Sequence, residues 1–314
     1  MIVLVNGASG YVGQEFVRRS PQSLRLVAVS RTPLNSGANL QWFSREKVLT
    51  KGIEAPGVVI HLEVKQHVFH ADANSGMEIL AANVDGTREW LDWCDRLGVQ
   101  RFIYFSSIKA VTPKAKGATD ETAAGPPKSL YGASKWAAEQ LVQEWTEKRL
   151  GRRALIVRPA VVYGGNSKSN VSAMVQGIRS GRFFLVGANE NIKSMISINN
   201  LIPALHFLRE RMKEGCYTYN LVDRHSLSVR AIDAEIRQQL GKRGNSPSLP
   251  LPVARAAALF GEMVYGLTKQ TFPINLSRLN GLLEESHFSC EKLIAAGFCH
   301  PETELCGVVD SIVR

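Results

Sequence analysis

Along the first 160 positions, apolar residues gather into short, almost unbroken runs, separated by stretches in which they recur every three or four residues. The runs Ile2–Val5, Leu26–Ser30, Val58–Leu62, Phe102–Ser106 and Leu155–Arg158 read as strands. The periodic stretches predict helices from about Tyr11, from about Asn83 to Leu97 and from about Tyr131 to Leu150. Strands that are apolar throughout must be covered on both faces, and their alternation with amphipathic helices predicts a parallel sheet between two helical layers. The expected fold class is α/β, a doubly wound parallel sheet.

Past Pro159 the alternation gives way to Gly/Asn/Ser-rich stretches such as VYGGNSKSN and LVGANENIK, and to GNSPSLPLP near Gly244 to Pro252, which reads as a linker. Residues 1–165 are expected to form the main domain, with a segment of about 193–222 returning to it. Residues 166–192 and 223–314 are expected to form a smaller C-terminal substrate-binding lobe. No repeat or low-complexity tract is visible.

The chain has 314 residues, 45% of them hydrophobic and 21% charged, an ordinary globular composition. MIVLVNGASG lacks the basic and apolar regions of a signal peptide, and the longest apolar run, Val253 to Leu267, carries Arg255 and Glu262 and is too short to span a bilayer. A cytoplasmic protein without membrane insertion is expected. Five scattered cysteines, with no CxxC spacing and no His/Cys cluster, predict neither a disulfide framework nor a metal site. The net charge of +10 is spread along the chain without a nucleic-acid-binding signature, so an anionic small molecule is the expected ligand and nucleic acid is not.

VNGASGYVG places Gly7, Gly10 and Gly13 between the first strand and the first helix. There a dinucleotide pyrophosphate can approach backbone N–H groups and the positive end of a helix dipole, as in a Rossmann domain. The spacing is GxxGxxG, and its place after the first strand gives it weight. The second strand ends in Ser30 and Arg31, where a fold that prefers NAD offers an acid to the adenosine ribose. Arg31 suits the 2′-phosphate of NADP, with Ser30 adding a hydrogen bond; stacking of Arg31 on adenine would tolerate NADP or NAD alike. The expected cofactor-binding set is Gly7, Ser9, Gly10, Tyr11, Val12, Gly13, Ser30, Arg31, Leu62 and Lys135.

SLYGASKWAAE sets Tyr131 and Lys135 one helical turn apart, on one face. A tyrosine, with a pKa of about 10, needs a downward shift of roughly three units, about 4 kcal/mol, to act as a base near neutrality. A cation about 4 Å away supplies roughly that much at an effective dielectric near 20. The run RFIYFSSIK ends a strand at Ser106 and Ser107, at the sheet edge where open α/β folds bind ligands, and a serine hydroxyl there can hold a reacting oxygen against Tyr131.

Through GASGYVG, VVIHLEV, NVDGT, FSSIK, YGASK, RPAVVYG, GRFFLVGANENIKSMISINNL and YNLVDRHSLSV, the sequence resembles the nucleotide-sugar epimerase/dehydratase branch of the extended short-chain dehydrogenase/reductase family. HLEVKQHVFH, SSIK and KSN look especially like bacterial UDP-N-acetylhexosamine 4-epimerases and related 4-keto-sugar reductases. The resemblance implies Tyr131 as acid/base, Lys135 as its electrostatic partner and ribose ligand, and Ser107, in the second place of the serine pair, as the hydroxyl that orients the substrate. It implies Asn170 and Lys193 as ligands of the substrate diphosphate. Gly57, Glu63 and Ala110-Val111-Thr112 depart from the family pattern; a carboxylate at Glu63 near a pyrophosphate calls for a cation or a ribose hydroxyl beside it.

The leading expectation is hydride transfer at C4 of a UDP-sugar by a UDP-4-keto-6-deoxy-N-acetylhexosamine 4-reductase of surface-polysaccharide synthesis, favoured over a 4-epimerase by Arg31. Remoter alternatives are a reductase of a hydrophobic ketone, which the polar stretch Lys168 to Asn170 and Lys193 argue against, and a catalytically silent NADP-binding protein, which the intact Ser/Tyr/Lys set argues against. Four tryptophans, Trp90, Trp93, Trp136 and Trp145, fall on two predicted helices, more than one helix pair is expected to bury. A homodimer through a four-helix contact follows. The stretch from Lys109 to Ser129 is expected to cover the site.

Overall fold

The computed structural model describes residues 1–51, 53–65, 73–125, 127, 129–165, 167, 169–268 and 275–313. Residues 66–70 of HLEVKQHVFH, and Lys168, lie outside the described residues.

The chain divides into two compact units, the first made of Met1–Ala160, Ile198–Val222 and Phe288–Pro301. Its strands are β1 (Ile2–Asn6), β2 (Arg25–Val29), β3 (Leu40–Phe43), β4 (Val58–His61), β5 (Arg101–Phe105), β6 (Arg153–Pro159) and a seventh, Gly215–Leu221. All seven run parallel, with the seventh strand at one edge followed by β6, β5, β4, β1, β2 and β3. The chain therefore winds outward from β1 in one direction and then from β4 in the other. The carboxyl ends of β1 and β4 flank the point where the direction reverses, where such sheets open a crevice. β1 and β4 are buried at every position, as two covered faces require.

The helices that matter for the site are α1 (Tyr11–Arg19), α2 (Arg45–Lys51), α3 (Ala73–Leu80), α4 (Gly86–Leu97) and α5 (Leu130–Glu147). A π-helical turn, Ala81–Asp85, joins α3 to α4, so the helix expected from Asn83 begins ten residues earlier, at Ala73. The sequence pattern did not mark β3 or α2. β3 is a half-exposed edge strand without an apolar run, and α2 has only seven residues.

The tryptophan argument for a dimer does not hold. Trp90, Trp93 and Trp145 are all buried within the first unit, and only Trp136 is half-exposed. The unpredicted α2 contributes to this, because the Trp93 indole N–H donates to the Val48 carbonyl at 3.0 Å. Trp145 donates to Asp95 at 2.7 Å and carries the Arg152 guanidinium over its ring.

The second unit comprises Val161–Ser197, Asp223–His287 and Glu302–Arg314. Its core joins Tyr163, Val171, Val175, Ile178, Ile232 and Leu305, around the helices Asn170–Arg179 and Val229–Gln239. The Tyr163 hydroxyl donates to Asp223 at 2.7 Å and accepts the Leu305 N–H at 2.8 Å. The return to the sheet starts at Ile198, because Ile192–Lys193 pairs with Leu227–Ser228 inside the second unit. GNSPSLPLP is not a linker: Ser246 bonds the buried Asp233, Ser248–Leu249 pairs with Leu185–Val186, and a helix starts at Leu251.

Candidate active site

The glycine loop leaves β1 at Asn6 and enters α1. Gly7 has φ +82°, and a Cβ there would stand 2.7 Å from the Glu63 nitrogen, so the chain leaving β4 lies directly on the loop. A Cβ on Gly13 would stand 2.5 Å from the Gly7 carbonyl oxygen, so the first turn of α1 packs equally close. Gly10, the N-cap of α1, makes no side-chain cap, which leaves backbone N–H groups of the first turn for an anion. Ser9, Tyr11 and Val12 are half-buried around it, and Leu62 is buried at the exit of β4. A cradle that any Cβ would fill, at a bare helix start, fits a dinucleotide pyrophosphate.

Glu63 has the cation its position calls for. Its carboxylate accepts from Asn6 Nδ2 at 3.0 Å and lies 3.8 Å from Arg45 Nε, while Arg45 also bonds Glu89 at 2.5 Å. Gly57 lies at the far end of β4, beside Met1 and bonded to the Ile2 carbonyl, so the missing acid there leaves the carboxyl edge untouched.

At the end of β2, Arg31 is exposed but Ser30 is buried. The Ser30 hydroxyl donates to the Thr32 carbonyl at 2.6 Å and accepts from the Trp42 indole at 3.0 Å. Its one proton is therefore already used within the protein.

β5 delivers the serine pair. Ser106 turns inward, and its hydroxyl donates to the carboxylate of Glu139. Ser107 is half-buried and accepts the Lys109 N–H at 3.2 Å, capping a short 3₁₀ turn. α5 starts from Ser129, whose hydroxyl accepts the Gly132 N–H at 3.1 Å. A Cβ on Gly132 would stand 2.2 Å from the Lys109 carbonyl oxygen, so this glycine lets the first turn of α5 press against the chain just past Ser107. Tyr131 and Lys135 are both buried on the inner face of that helix. The Lys135 ammonium donates to the Phe105 carbonyl at 2.7 Å and sits 4.8 Å from the centre of the Tyr104 ring. Burial pulls the Lys135 pKa down to about 7, against the opposing pull of the Glu139 carboxylate.

Seven further residues tie these parts together. Glu139, one turn beyond Lys135, is fully buried and forms a two-pronged pair with Arg158 at 2.7 and 2.9 Å. Asn83 donates to Ser134 at 2.9 Å, and Ser134 donates to the Tyr131 carbonyl at 2.8 Å. Asn83 also holds the backbone of Lys65, accepting its N–H at 2.9 Å and donating to its carbonyl at 3.2 Å. Thr87 donates to the Asn83 carbonyl at 2.6 Å, and its oxygen lies 3.2 Å from His61 Nε2, while His61 Nδ1 accepts from Asn6 at 2.8 Å. That arrangement suits a neutral imidazole with its proton on Nε2. Burial first, then Lys135 and Arg45, push the His61 pKa down to about 3. HL and NVDGT were visible as motifs; the partners of their polar residues were not.

In the second unit Asn170 is exposed at the start of its helix, next to the capping Ser169. Lys193 is engaged: its ammonium donates to the Gly281 carbonyl at 2.8 Å and to that of Glu284. Both acceptors lie at the carboxyl end of the helix Leu276–Leu283. Among the described residues no His/Cys/Asp/Glu group has the form of a metal site, and no helix is long and apolar enough to cross a membrane.

Known proteins match this architecture along its length. The chain is 28% identical over 306 residues, 96% of itself and 91% of its counterpart, to the N-acetyl-α-D-glucosaminyl-diphospho-ditrans,octacis-undecaprenol 4-epimerase of Escherichia coli O157:H7. It is 27% identical over 267 residues to the UDP-glucose 4-epimerase of Vibrio cholerae, covering 80% of this chain and 78% of that one. Among solved structures, MoeE5 in complex with UDP-glucose and NAD superposes with a TM-score of 0.77 at 20% identity, covering 100% of this chain and 98% of that one. The UDP-glucose 4-epimerase of Thermotoga maritima superposes with a TM-score of 0.76 at 18% identity, over 100% and 97% of the two chains. The sequence profile of the NAD dependent epimerase/dehydratase family matches residues 3–221, which hold all of the large sheet but Ile2, together with the glycine loop, Ser107, Tyr131 and Lys135. The chain is an enzyme of the NAD dependent epimerase/dehydratase family.

Proposed function

We propose that this enzyme is a cytoplasmic 4-epimerase of a UDP-linked hexose or N-acetylhexosamine. The observation that carries the reading is the grouping at the exit of β5, where Gly132 lets Tyr131 and Lys135 on α5 be pressed against the chain that presents Ser107. Tyr131 takes the proton of the sugar C4 hydroxyl, and Ser107 donates a hydrogen bond to the same oxygen. Lys135, held in place by the Phe105 carbonyl, lowers the phenol's affinity for its proton whenever it is charged. The nicotinamide dinucleotide supplies the hydride acceptor and donor. Gly7, Ser9, Gly10, Tyr11, Val12, Gly13 and Leu62 hold it, with Arg31 at its adenosine end. The 4-reductase reading leaned on Arg31 as a ligand of NADP, with Ser30 adding a hydrogen bond; Arg31 is exposed, while the Ser30 hydroxyl already gives its proton to the Thr32 carbonyl. Asn170 and the homodimer belong to the reading as further proposals.

Purified enzyme with NAD should interconvert UDP-N-acetylglucosamine and its C4 epimer, or UDP-glucose and its epimer, with no net change at the reduced-nicotinamide band. Stoichiometric oxidation of NADPH on adding UDP-4-keto-6-deoxy-N-acetylhexosamine, without epimerisation, would make it the 4-reductase instead. A second carrier is favoured by the Escherichia coli relative, whose name puts its sugar on diphospho-undecaprenol. The same epimer assay on a short polyprenyl diphosphate N-acetylglucosamine decides between the carriers.

A further inference from the structure

The helix Leu251–Thr268 in the second unit has an unusual outward face. Its inner side packs Ala254 and Ala258 against Val186 and Leu279. On the outer side, Val253, Leu259, Phe260 and Met263 are each between 52 and 58% exposed, with Pro252 and Ala256 exposed among them. At 100° per residue these six positions fill roughly 120° of arc, edged by the exposed Arg255. The one acid of that stretch, Glu262, turns inward and accepts the Leu276 N–H. An ordinary surface helix is polar on the side away from its core; this one is apolar on both.

The segment leading into this face carries charge of one sign. From Leu240 to Gly261 the sequence contains Lys242, Arg243 and Arg255 and neither Asp nor Glu. The turn bearing Lys242 and Arg243 leads into the helix, and the Lys242 ammonium donates to the Arg179 carbonyl at 2.9 Å, which sets the exposed Arg179 beside that turn. A two-fold-related copy docking on this row would lay the same acid-free, cation-bearing segment against itself. An apolar row edged by cations is instead the pattern of a helix lying in the plane of an anionic bilayer surface. We propose that the outer face of Leu251–Thr268 seats this enzyme on anionic phospholipid, with Val253, Leu259, Phe260 and Met263 entering the interface and Arg243 and Arg255 contacting headgroups. The inference stands apart from the reading of the active site.

The full chain, incubated with sedimentable vesicles of phosphatidylglycerol and phosphatidylethanolamine, is expected to pellet with them, and to pellet less as salt rises or when phosphatidylcholine replaces the anionic lipid. Replacing Leu259→Ser, Phe260→Ser and Met263→Ser together should weaken binding by more than about tenfold, since each removes exposed apolar surface. Arg243→Glu with Arg255→Glu should abolish the preference for phosphatidylglycerol. Each variant's thermal unfolding and NAD binding, expected to match those of the parent, show that the protein is folded and keep this test separate from turnover. Parent protein that stays in the supernatant, or a serine variant that pellets as well as the parent, overturns the proposal. So does a serine variant that turns a dimer into a monomer while vesicle binding is unchanged, which would assign the face to a second copy.

Discussion

The carboxyl edge of the sheet and the second unit offer candidate residues of the same polar types under opposite conditions. At the sheet edge, Tyr131, Lys135, Glu139, Asn83 and His61 are buried, and a chain of hydrogen bonds runs from Asn6 to the Tyr131 carbonyl. In the second unit, Asn170 is exposed on a helix start and Lys193 closes a helix end. A buried polar residue held by hydrogen bonds has its geometry fixed before any ligand arrives. An exposed one such as Asn170 at a helix start can turn to a ligand that arrives there. The difference fits the proposed chemistry at the first region and the proposed recognition by Asn170 in the second, and substitutions in each should fail differently.

The largest effect is expected from Tyr131→Phe. The ring and its packing remain while the proton-transferring oxygen is lost, so kcat should fall by about a thousandfold with NAD affinity unchanged. Titration of NAD binding beside single-turnover kinetics reads both; retained turnover would take the chemistry away from this edge.

Next comes Glu139→Ala. It leaves Arg158 and Ser106 facing a buried void where a two-pronged ion pair stood, and removal of one member of such a pair costs roughly 3 kcal/mol or more. Urea denaturation should show that loss. A change of under about 0.5 kcal/mol would mean that water relieves the site and that the edge is less rigid than its bonding implies.

A smaller, pH-dependent effect is expected from His61. Its pKa is depressed from 6.5 to about 3 in the folded protein, so between those values the unfolded chain binds a proton there that the folded chain does not. Stability is therefore fully present above pH 6.5 and is lost as pH falls toward 3. About two units below its ordinary value the contribution lost is roughly 2–3 kcal/mol. His61→Phe should flatten this part of the stability profile even though it weakens the protein at neutral pH. An unchanged slope would show that His61 reaches a proton donor without unfolding.

How much of this was legible in the sequence follows the same division. The strands with continuous apolar runs were readable, because burial on both faces leaves no polar position. Gly7 and Gly13 were readable because close backbone approach excludes a side chain. β3 was not, since an edge strand mixes exposed and buried positions, and with it went the Trp42 bond that occupies Ser30. α2 was too short to show a period, which left Trp93 without its cover in the sequence reading. Glu139 stood in plain view one turn after Lys135, yet its partners come from residues 106 and 158, and a pairing across that distance has no local signature.

The smallest effect, and the sharpest test of the contrast, is expected from Lys193→Met. Methionine keeps an unbranched stem of similar length and removes the ammonium that now spans the Gly281 and Glu284 carbonyls. If holding that helix end is its work, stability should drop by about 1 kcal/mol, a typical net value for hydrogen bonds of this kind, and KM for the nucleotide sugar should move by less than about twofold. If Lys193 instead leaves those carbonyls for a substrate diphosphate, as the family resemblance implies, KM should rise by tenfold or more, because a charge-assisted bond is worth about 1.5–3 kcal/mol. The first result leaves Asn170 as the proposed substrate ligand of the second unit. The second makes the helix end at Gly281 a resting partner that the substrate displaces, and couples the order of that segment to ligand binding.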